Sequence, residues 1–265
     1  MNPDKIKDEF LRIRDLGYLK NVKSDNNDGA AGNTFESHLG VVENNLKEAD
    51  YDGFEIKTKK WLSKKSSTPY TLFSLKPSHP DNGDNYMRSN WGVPDKRYPN
   101  VKRFSTTLWG NKWSKVYKNN LLKLEVDKSG KKVFVIYADL NGNVLDKSIY
   151  FTFDDIEEGS KKLRNMFLVN ADVKTIDGKH HFHYTDAIIM FDYHGHDNFI
   201  KLIETGYVRY DNRLGVHGPT TPHAGQPHNH GGGFRISKNH IDLLFNKKLE
   251  IKWIKFRQRL ILKKL

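Results

Sequence analysis

Asp50-Tyr51-Asp52-Gly53-Phe54-Glu55-Ile56-Lys57 gathers carboxylates and a lysine into one short stretch. Read as a strand over 53–58, it puts Glu55 and Lys57 on one face and turns Phe54 and Ile56 toward a core. An acid near the strand entrance can converge with Glu55 on one hard cation. With the Ile56 carbonyl this makes an oxygen donor set suited to Mg²⁺, which binds through one or two carboxylates beside phosphate. Lys57 would then place or polarise the attacking water. Such a set meets the needs of phosphodiester hydrolysis: a water nucleophile, charge relief on the phosphate and help for the leaving oxygen. Asp50 stands five residues before Glu55 and Asp52 three before it. The shorter spacing leaves little room for the chain to turn, which favours Asp50 as the metal ligand, with Asp52 as runner-up. Glu36, on the preceding helix, could add a carboxylate for a second ion or a bound water. The competing reading is an ordinary half-exposed strand, with Glu36 a solvated helix residue.

A second set of residues lies far downstream. Segment 209–235 holds Arg209, Asp211, Arg213, His217, His223, His228, His230 and Arg235. Arginine reads guanine O6 and N7 with two hydrogen bonds, and aspartate accepts from cytosine N4. Histidine contacts guanine or phosphate, and Gly231–Gly233 would let backbone approach a duplex closely. The set reads as a major-groove reader. Its rivals are an exposed loop, or a zinc site built from His217, His223, His228 and His230. His180, His181 and His183 lead into an apolar strand and read as packing or surface residues. The run Lys57–Lys65, with Lys59 and Lys60, would neutralise phosphates beside the first set, or form a solvated basic face. Lys76 is a further candidate for a phosphate contact; Lys102, Arg103, Arg257, Arg259, Lys263 and Lys264 add unspecific positive charge.

Several elements must position these groups. Ile6, Phe10, Leu11, Ile13 and Leu16 give an amphipathic helix over 4–18. A second helix starts at Asn33 or Thr34, either of which would cap it, and runs to Leu39-Gly40. Strand 70–75, a short helix over 86–91 and a hairpin of 121–126 with 132–137 follow. Asp154 or Asp155 caps a helix reaching Leu163. Strand 182–191 and helix 196–205 precede the segment 207–235, which is too long for an ordinary connection and so is functional or disordered. Ser237 caps a helix to Phe245, and 249–265 reads as strand, then basic helix. A lobe boundary near 150–170 gives an expected division into 1–165, a catalytic lobe, and 166–265, a DNA-recognition lobe; the alternative is one continuous domain.

Composition limits the partners. The 265 residues carry 44 Lys and Arg against 32 Asp and Glu, a formal charge of +12. That surplus suits a phosphate backbone, where each neutralised phosphate releases counterions. Aromatic residues at 12% argue against a disordered chain. No apolar run approaches the ~20 residues needed to span a bilayer, and no signal peptide is expected at Met1–Phe10. With no cysteine, disulfides and thiolate zinc sites are excluded. A cytoplasmic protein is expected.

Taken in order, the motifs resemble those of the MvaI/BcnI family of type II restriction endonucleases, related to the repair nuclease MutH. Gly17-Tyr18-Leu19 precedes a glycine-containing loop. Gly32-Asn33-Thr34-Phe35-Glu36-Ser37-His38-Leu39-Gly40 resembles the family's acidic helix. Glu43-Asn44-Asn45-Leu46 then precedes 50–57, which resembles its PD-(D/E)xK core, and Tyr70–Ser74 resembles the next core strand. Near the other end, His228-Asn229-His230-Gly231-Gly232-Gly233-Phe234-Arg235 resembles the family's His-x-His-Gly-x-x-Phe-Arg motif, with Asp211-x-Arg213 upstream. Ala49 stands where many such nucleases have proline; that position shapes the turn and is not a ligand.

The resemblance implies Asp50, Glu55 and Lys57 as the active site with Glu36 auxiliary, and Asp211, Arg213, His228 and Arg235 as base readers. It implies an α/β, restriction-endonuclease-like fold: a mixed central sheet flanked by helices, with two lobes around a DNA-binding cleft. It also implies a Mg²⁺-dependent enzyme that cuts double-stranded DNA at a short, C·G-rich, nearly palindromic site. Such an enzyme acts as a monomer that cuts the strands in succession, and a DNA methyltransferase encoded nearby would protect the host without binding it. The alternatives are a MutH-like strand-nicking repair endonuclease, a non-catalytic DNA-binding protein and, more remotely, a membrane-surface protein.

Overall fold

A computed structural model of the chain describes residues 2–25, 29–41, 49–60, 68–117 and 119–252. Segment Glu43–Leu46, the lysine run beyond Lys60 and the terminal Arg257, Arg259, Lys263 and Lys264 lie outside the described residues.

In chain order the elements begin with α1 (Pro3–Asp15), β1 (Leu19–Lys20), α2 (Ala30–His38), β2 (Glu55–Lys60) and β3 (Tyr70–Ser74). Next come α3 (Gly83–Trp91), β4 (Val93–Pro94), β5 (Lys102–Leu108), β6 (Ser114–Val116), β7 (Asn120–Asp127) and β8 (Lys132–Ala138). Then follow β9 (Val144–Thr152), α4 (Phe153–Ser160), β10 (Met166–Ile176), β11 (Lys179–Tyr193) and α5 (Gly195–Glu204). The chain continues through β12 (Val208–Val216), β13 (Pro227–Asn229), β14 (Gly233–Ile236), a 3₁₀ helix (Lys238–Leu244) and β15 (Phe245–Ile251). The mixed α/β architecture is the expected one.

Two compact units share the chain, and neither is continuous. The first comprises Met1–Ser66, Asn165–Phe191 and Lys247–Leu265; the second comprises Ser67–Arg164 and Asp192–Asn246. A single cut at 165/166 therefore does not separate them. The reason is topological: β2 and β10 pair in parallel, parallel neighbours need a crossover, and this crossover carries much of the second unit.

In the first unit the sheet order is β1-β11-β10-β2, with β15 also on β11. Asn2 caps α1 by accepting the Asp4 amide, and Pro3 occupies a first-turn position where no amide is needed. Ile6, Phe10 and Ile13 recur at helical spacing and are fully buried. They meet Phe35 of α2, Phe54, Ile56 and Phe167 in one core. The rings of Phe10 and Phe167 pack edge to face at 5.8 Å. Helix α2 starts earlier than expected, at Ala30 rather than 33 or 34. Thr34 does not cap it: its hydroxyl donates back to the Ala30 carbonyl at 2.8 Å, the habit of a threonine inside a helix.

In the second unit one sheet runs β3-β14-β12-β5-β4 with β13 on β12, and another runs β6-β7-β8-β9. Phe73, Phe199 and Phe234 pack at 5.4–5.8 Å, and Trp91 stacks on Tyr137 at 4.8 Å. The hairpin β7–β8 is as expected. Helix α4 is capped not by Asp154 or Asp155 but by Thr152, whose hydroxyl oxygen accepts the Asp155 amide. The Asp155 carboxylate accepts the Thr152 hydroxyl in return at 2.7 Å. The segment 207–235 is neither disordered nor one loop: it supplies β12, β13 and β14.

Candidate active site and nucleic-acid interface

The first site forms where the chain enters β2. Asp52 and Gly53 both have positive φ, 46° and 81°, and Tyr51 and Phe54 exchange backbone hydrogen bonds of 3.1 and 2.8 Å across them. This is a two-residue hairpin turn of the kind Asp-Gly favours. It folds Asp50 back beside the start of β2. The Glu55 amide donates to Asn165 across to β10 at 3.0 Å. The next residue therefore turns its amide and carbonyl to the opposite edge. There the Ile56 amide donates to Asp50 Oδ2 at 2.8 Å. Among the described residues, β2 pairs only with β10 in its sheet, so the Asp50 carboxylate and the Ile56 carbonyl share the open edge.

Glu55 is 1% exposed, and its Oε1 is ion-paired with Lys57 Nζ. The pair lies on one strand face, while Phe54 and Ile56 point into the core from the other, as their spacing requires. Lys57 is the countercharge beside this buried carboxylate. Asp52 sits at the turn, where its Oδ2 accepts the Asn2 amide at 3.2 Å. Glu36 stands on the α2 side of β2: its Oε1 is 3.5 Å from where a Cβ on Gly32 would lie, and that point is 3.9 Å from Thr58 Cβ. Its charge adds to burial in holding the Tyr184 phenol above its ordinary value. Lys59 shares the Glu55 and Lys57 face by alternation, and Lys60 lies over the Phe182 ring at 5.6 Å.

Among the described residues, no three His, Asp or Glu side chains form a ready-made metal cluster. A site of two carboxylates and a backbone carbonyl falls below that count, yet it fits a hard cation. Its donors are all oxygens, Asp50 and Ile56 share an edge, and Glu55 adjoins Ile56. The zinc alternative gains no support: the histidines of 217–230 form no such cluster either.

The second site lies on the β5, β12, β14 face of the second unit. Alternation puts Arg209, Asp211 and Arg213 of β12 on one face, and the register sets Arg235 of β14 opposite Arg209. Asp211 is the hub. Arg209 Nε lies 3.4 Å from its Oδ1, and Arg235 Nε and Arg213 Nη2 lie 3.4 and 3.8 Å from its Oδ2. Thr107 of β5 donates its hydroxyl to Oδ1 at 2.8 Å. Three guanidinium groups thus share one carboxylate, leaving a local excess of positive charge. Among the described residues, the buried Nε atoms of Arg209 and Arg235 have no well-aligned acceptor, so their contacts with Asp211 are ionic rather than hydrogen-bonded. Burial and then the neighbouring Arg213 hold the Arg235 pKa below the usual arginine range. The Arg213 side chain is 47% exposed against 7% for Arg235, which makes Arg213 the outward-facing member.

The histidines join this face. Strand β13 pairs with β12, setting His228 opposite Gly215 and Asn229 opposite Leu214. His228 Nδ1 lies 3.0 Å from His217 Nε2, so one ring donates and the other accepts. The His228 and His230 rings meet edge to face at 4.0 Å. Burial comes first, then neighbouring charge, in lowering the pKa of His217, His228 and His230. The glycines that follow have an intramolecular reason. A Cβ on Gly232 would fall 2.3 Å from the Tyr210 hydroxyl, and one on Gly233 would fall 2.6 Å from the Phe73 carbonyl. Their small size lets β14 pass Tyr210 and pair with β3.

Sequence reasoning missed Asp84 and Arg88 on α3. Each is 8% exposed, and each bonds to the β13 strand. Their one local signal is spacing four apart on a short helix, which marks no function by itself.

The chain matches the model of the MvaI/BcnI restriction endonuclease family over residues 7–245. Among solved structures it is similar to a restriction endonuclease MvaI–cognate DNA substrate complex, with a TM-score of 0.83 and 24% identity over 94% of this chain and 99% of that one. It is also similar to restriction endonuclease MvaI in the absence of DNA, with a TM-score of 0.58 and 23% identity over 95% and 98% of the two chains. At these identities the structures establish the fold. No curated protein sequence matches the chain.

Proposed function

Because the chain belongs to the MvaI/BcnI restriction endonuclease family, and so is a type II site-specific deoxyribonuclease, we propose that it cuts double-stranded DNA at a short, C·G-rich, nearly palindromic site with Mg²⁺ as cofactor. The observation that carries this reading is the Asp50 carboxylate on the Ile56 amide, next to the buried Glu55–Lys57 pair.

Asp50, Glu55 and the Ile56 carbonyl would hold the cation. A divalent cation held by these oxygens would supply charge relief for the scissile phosphate and acidify the attacking water. Lys57 orients the attacking water through its Nζ protons, and its ammonium is ion-paired with the buried Glu55. Glu36 is an auxiliary acid acting from the α2 side. Lys59 and Lys60 neutralise backbone phosphates near the cut.

In the second unit Arg213 makes the bidentate contact to guanine. Asp211 accepts from cytosine and holds the arginines together, while Arg209 and Arg235 fix its carboxylate. The neutral imidazoles of His228 and His230 complete the major-groove contacts. The first unit is the catalytic lobe and the second the recognition lobe. The enzyme acts as a monomer in the cytoplasm and has one active site, so it cuts the two strands in succession. A methyltransferase encoded nearby guards host sites without forming a complex. No helix among the described residues is long and apolar enough to cross a membrane, and the reading requires no membrane partner.

Incubating the protein with a sequenced supercoiled plasmid, with Mg²⁺ or with EDTA, tests this reading. Open circles appearing first and then discrete linear fragments are expected with Mg²⁺ alone, and their mapped ends give the site. Open circles as the only product would favour a nicking enzyme. Intact plasmid in Mg²⁺ would refute the catalytic assignment.

A further inference from the structure

We propose that Asp84 and Arg88 of α3 are positioning residues for sequence recognition: they hold β13 from behind so that His228 and His230 meet the DNA. The proposal rests on the recognition role given above to the second unit.

Face parity places α3 on the back of the reading strands. On β12 the odd positions Arg209, Asp211 and Arg213 carry the reader charges. The even positions Tyr210 and Leu214 are fully buried, and Asn212 directs its Nδ2 at Met87 of α3. Strand β13 inherits this division through its register. His228 pairs with Gly215 and shares the reader face; Asn229 pairs with Leu214 and shares the α3 face. The edge-to-face contact of His228 and His230 agrees, because residues two apart share a side.

On the back face the contacts are specific. Asn229 Nδ2 donates to Asp84 Oδ2 at 2.6 Å, and Asn229 Oδ1 accepts the Gly231 amide at 2.9 Å. Both ends of the amide between the two histidines are therefore fixed. Arg88 Nη2 donates to the His228 carbonyl at 3.2 Å. The His230 amide donates to the Arg213 carbonyl at 3.0 Å. A strand of three residues has little rigidity of its own, and these bonds supply it. Asp84 and Arg88 are four apart on one helix face and nearly closed to solvent. Charged groups are rarely buried so deeply unless they are paired, and here each is paired with the segment that carries the two histidines.

The test exchanges the polar partners. Once the cut site has been mapped, kcat/KM is measured on the cognate duplex and on duplexes with one base pair changed. Binding to a random duplex and the thermal midpoint are measured alongside. Asn229→Asp sets two carboxylates against each other and should lower the cognate-to-changed ratio by about tenfold or more, with random-duplex affinity held within about twofold. The exchange Asp84→Asn with Asn229→Asp rebuilds the bond with reversed polarity and should restore the ratio to within about threefold of wild type. Arg88→Lys keeps the charge but loses the planar reach to His228; it should also lower the ratio, and it serves if Asn229→Asp does not fold. An unmoved ratio, or an exchange variant no better than Asn229→Asp, overturns the proposal while a discriminating wild type leaves the recognition role standing. A wild type that cuts without sequence preference overturns both.

Discussion

Asp50 Oδ2 accepts the Ile56 amide at 2.8 Å, so the acid proposed as a metal ligand is held in place by the strand that carries the other two groups. The turn at Asp52-Gly53 makes this possible. A preset carboxylate loses little freedom when an ion arrives, which is the advantage of preorganisation. The same bond separates the two candidate aspartates by position.

Asp50→Asn is accordingly expected to keep the bond to Ile56 through its amide oxygen yet lose most cleavage, by roughly 100-fold or more. Asp52→Asn should cleave like wild type and fold as well, since asparagine tolerates positive φ. Plasmid cleavage across a Mg²⁺ titration makes the comparison. Equal loss in both variants would mean that the turn, rather than the Asp50 charge, is what matters.

Glu55→Ala and Lys57→Ala should each abolish cutting, by about 1000-fold or more, while specific DNA binding persists. Cleavage assays and gel-shift measurements without Mg²⁺ separate the two properties. Unchanged cutting by either variant would refute the site.

Arg213→Ala should cost about 1–3 kcal/mol of discrimination between the cognate site and a site with one pair changed. Its side chain is the outward-facing arginine around Asp211, so stability should change little. Asp211→Asn should act differently, because it leaves three guanidinium groups around a neutral amide. A loss on the order of 3 kcal/mol in urea unfolding is expected. Retained preference in Arg213→Ala would move the reading role to another residue.

Acid should weaken the recognition unit. His217, His228 and His230 have pKa values lowered from 6.5 in the folded chain. The unfolded chain therefore binds protons first as pH falls, and stability drops from about pH 6.5 downward through the lowered values. Above that window the imidazoles are neutral in both states and contribute no slope. Thermal midpoints between about pH 7.5 and 5.5 should fall less steeply in His217→Asn with His228→Asn than in wild type. Parallel curves would remove these histidines as the cause.

Much of the first site was legible because alternation in a strand is local. Glu55 and Lys57 had to share a face once β2 was recognised, and Phe54 and Ile56 had to enter the core. The choice between Asp50 and Asp52 had a signal too: Asp-Gly is a hairpin dipeptide, and the turn, rather than the length of the spacer alone, brings Asp50 back. The start of α2 was misread because a threonine suits both a cap and a helix interior bonded to the carbonyl four back. The discontinuous units were not legible because a parallel pair of strands conceals how much chain lies in its crossover.

By itself the sequence determined the chemistry on offer: a charge surplus suited to phosphate, acids and a lysine at strand spacing, and motifs that mark the family. It also determined which neighbours along a strand share a side, since backbone geometry repeats over two residues whatever surrounds it. Only the tertiary structure decided that Asp211 holds three arginines and that α3 backs the histidine strand. Asp84 and Asn229 are 145 positions apart, and no local periodicity connects residues whose meeting depends on strand register and helix packing.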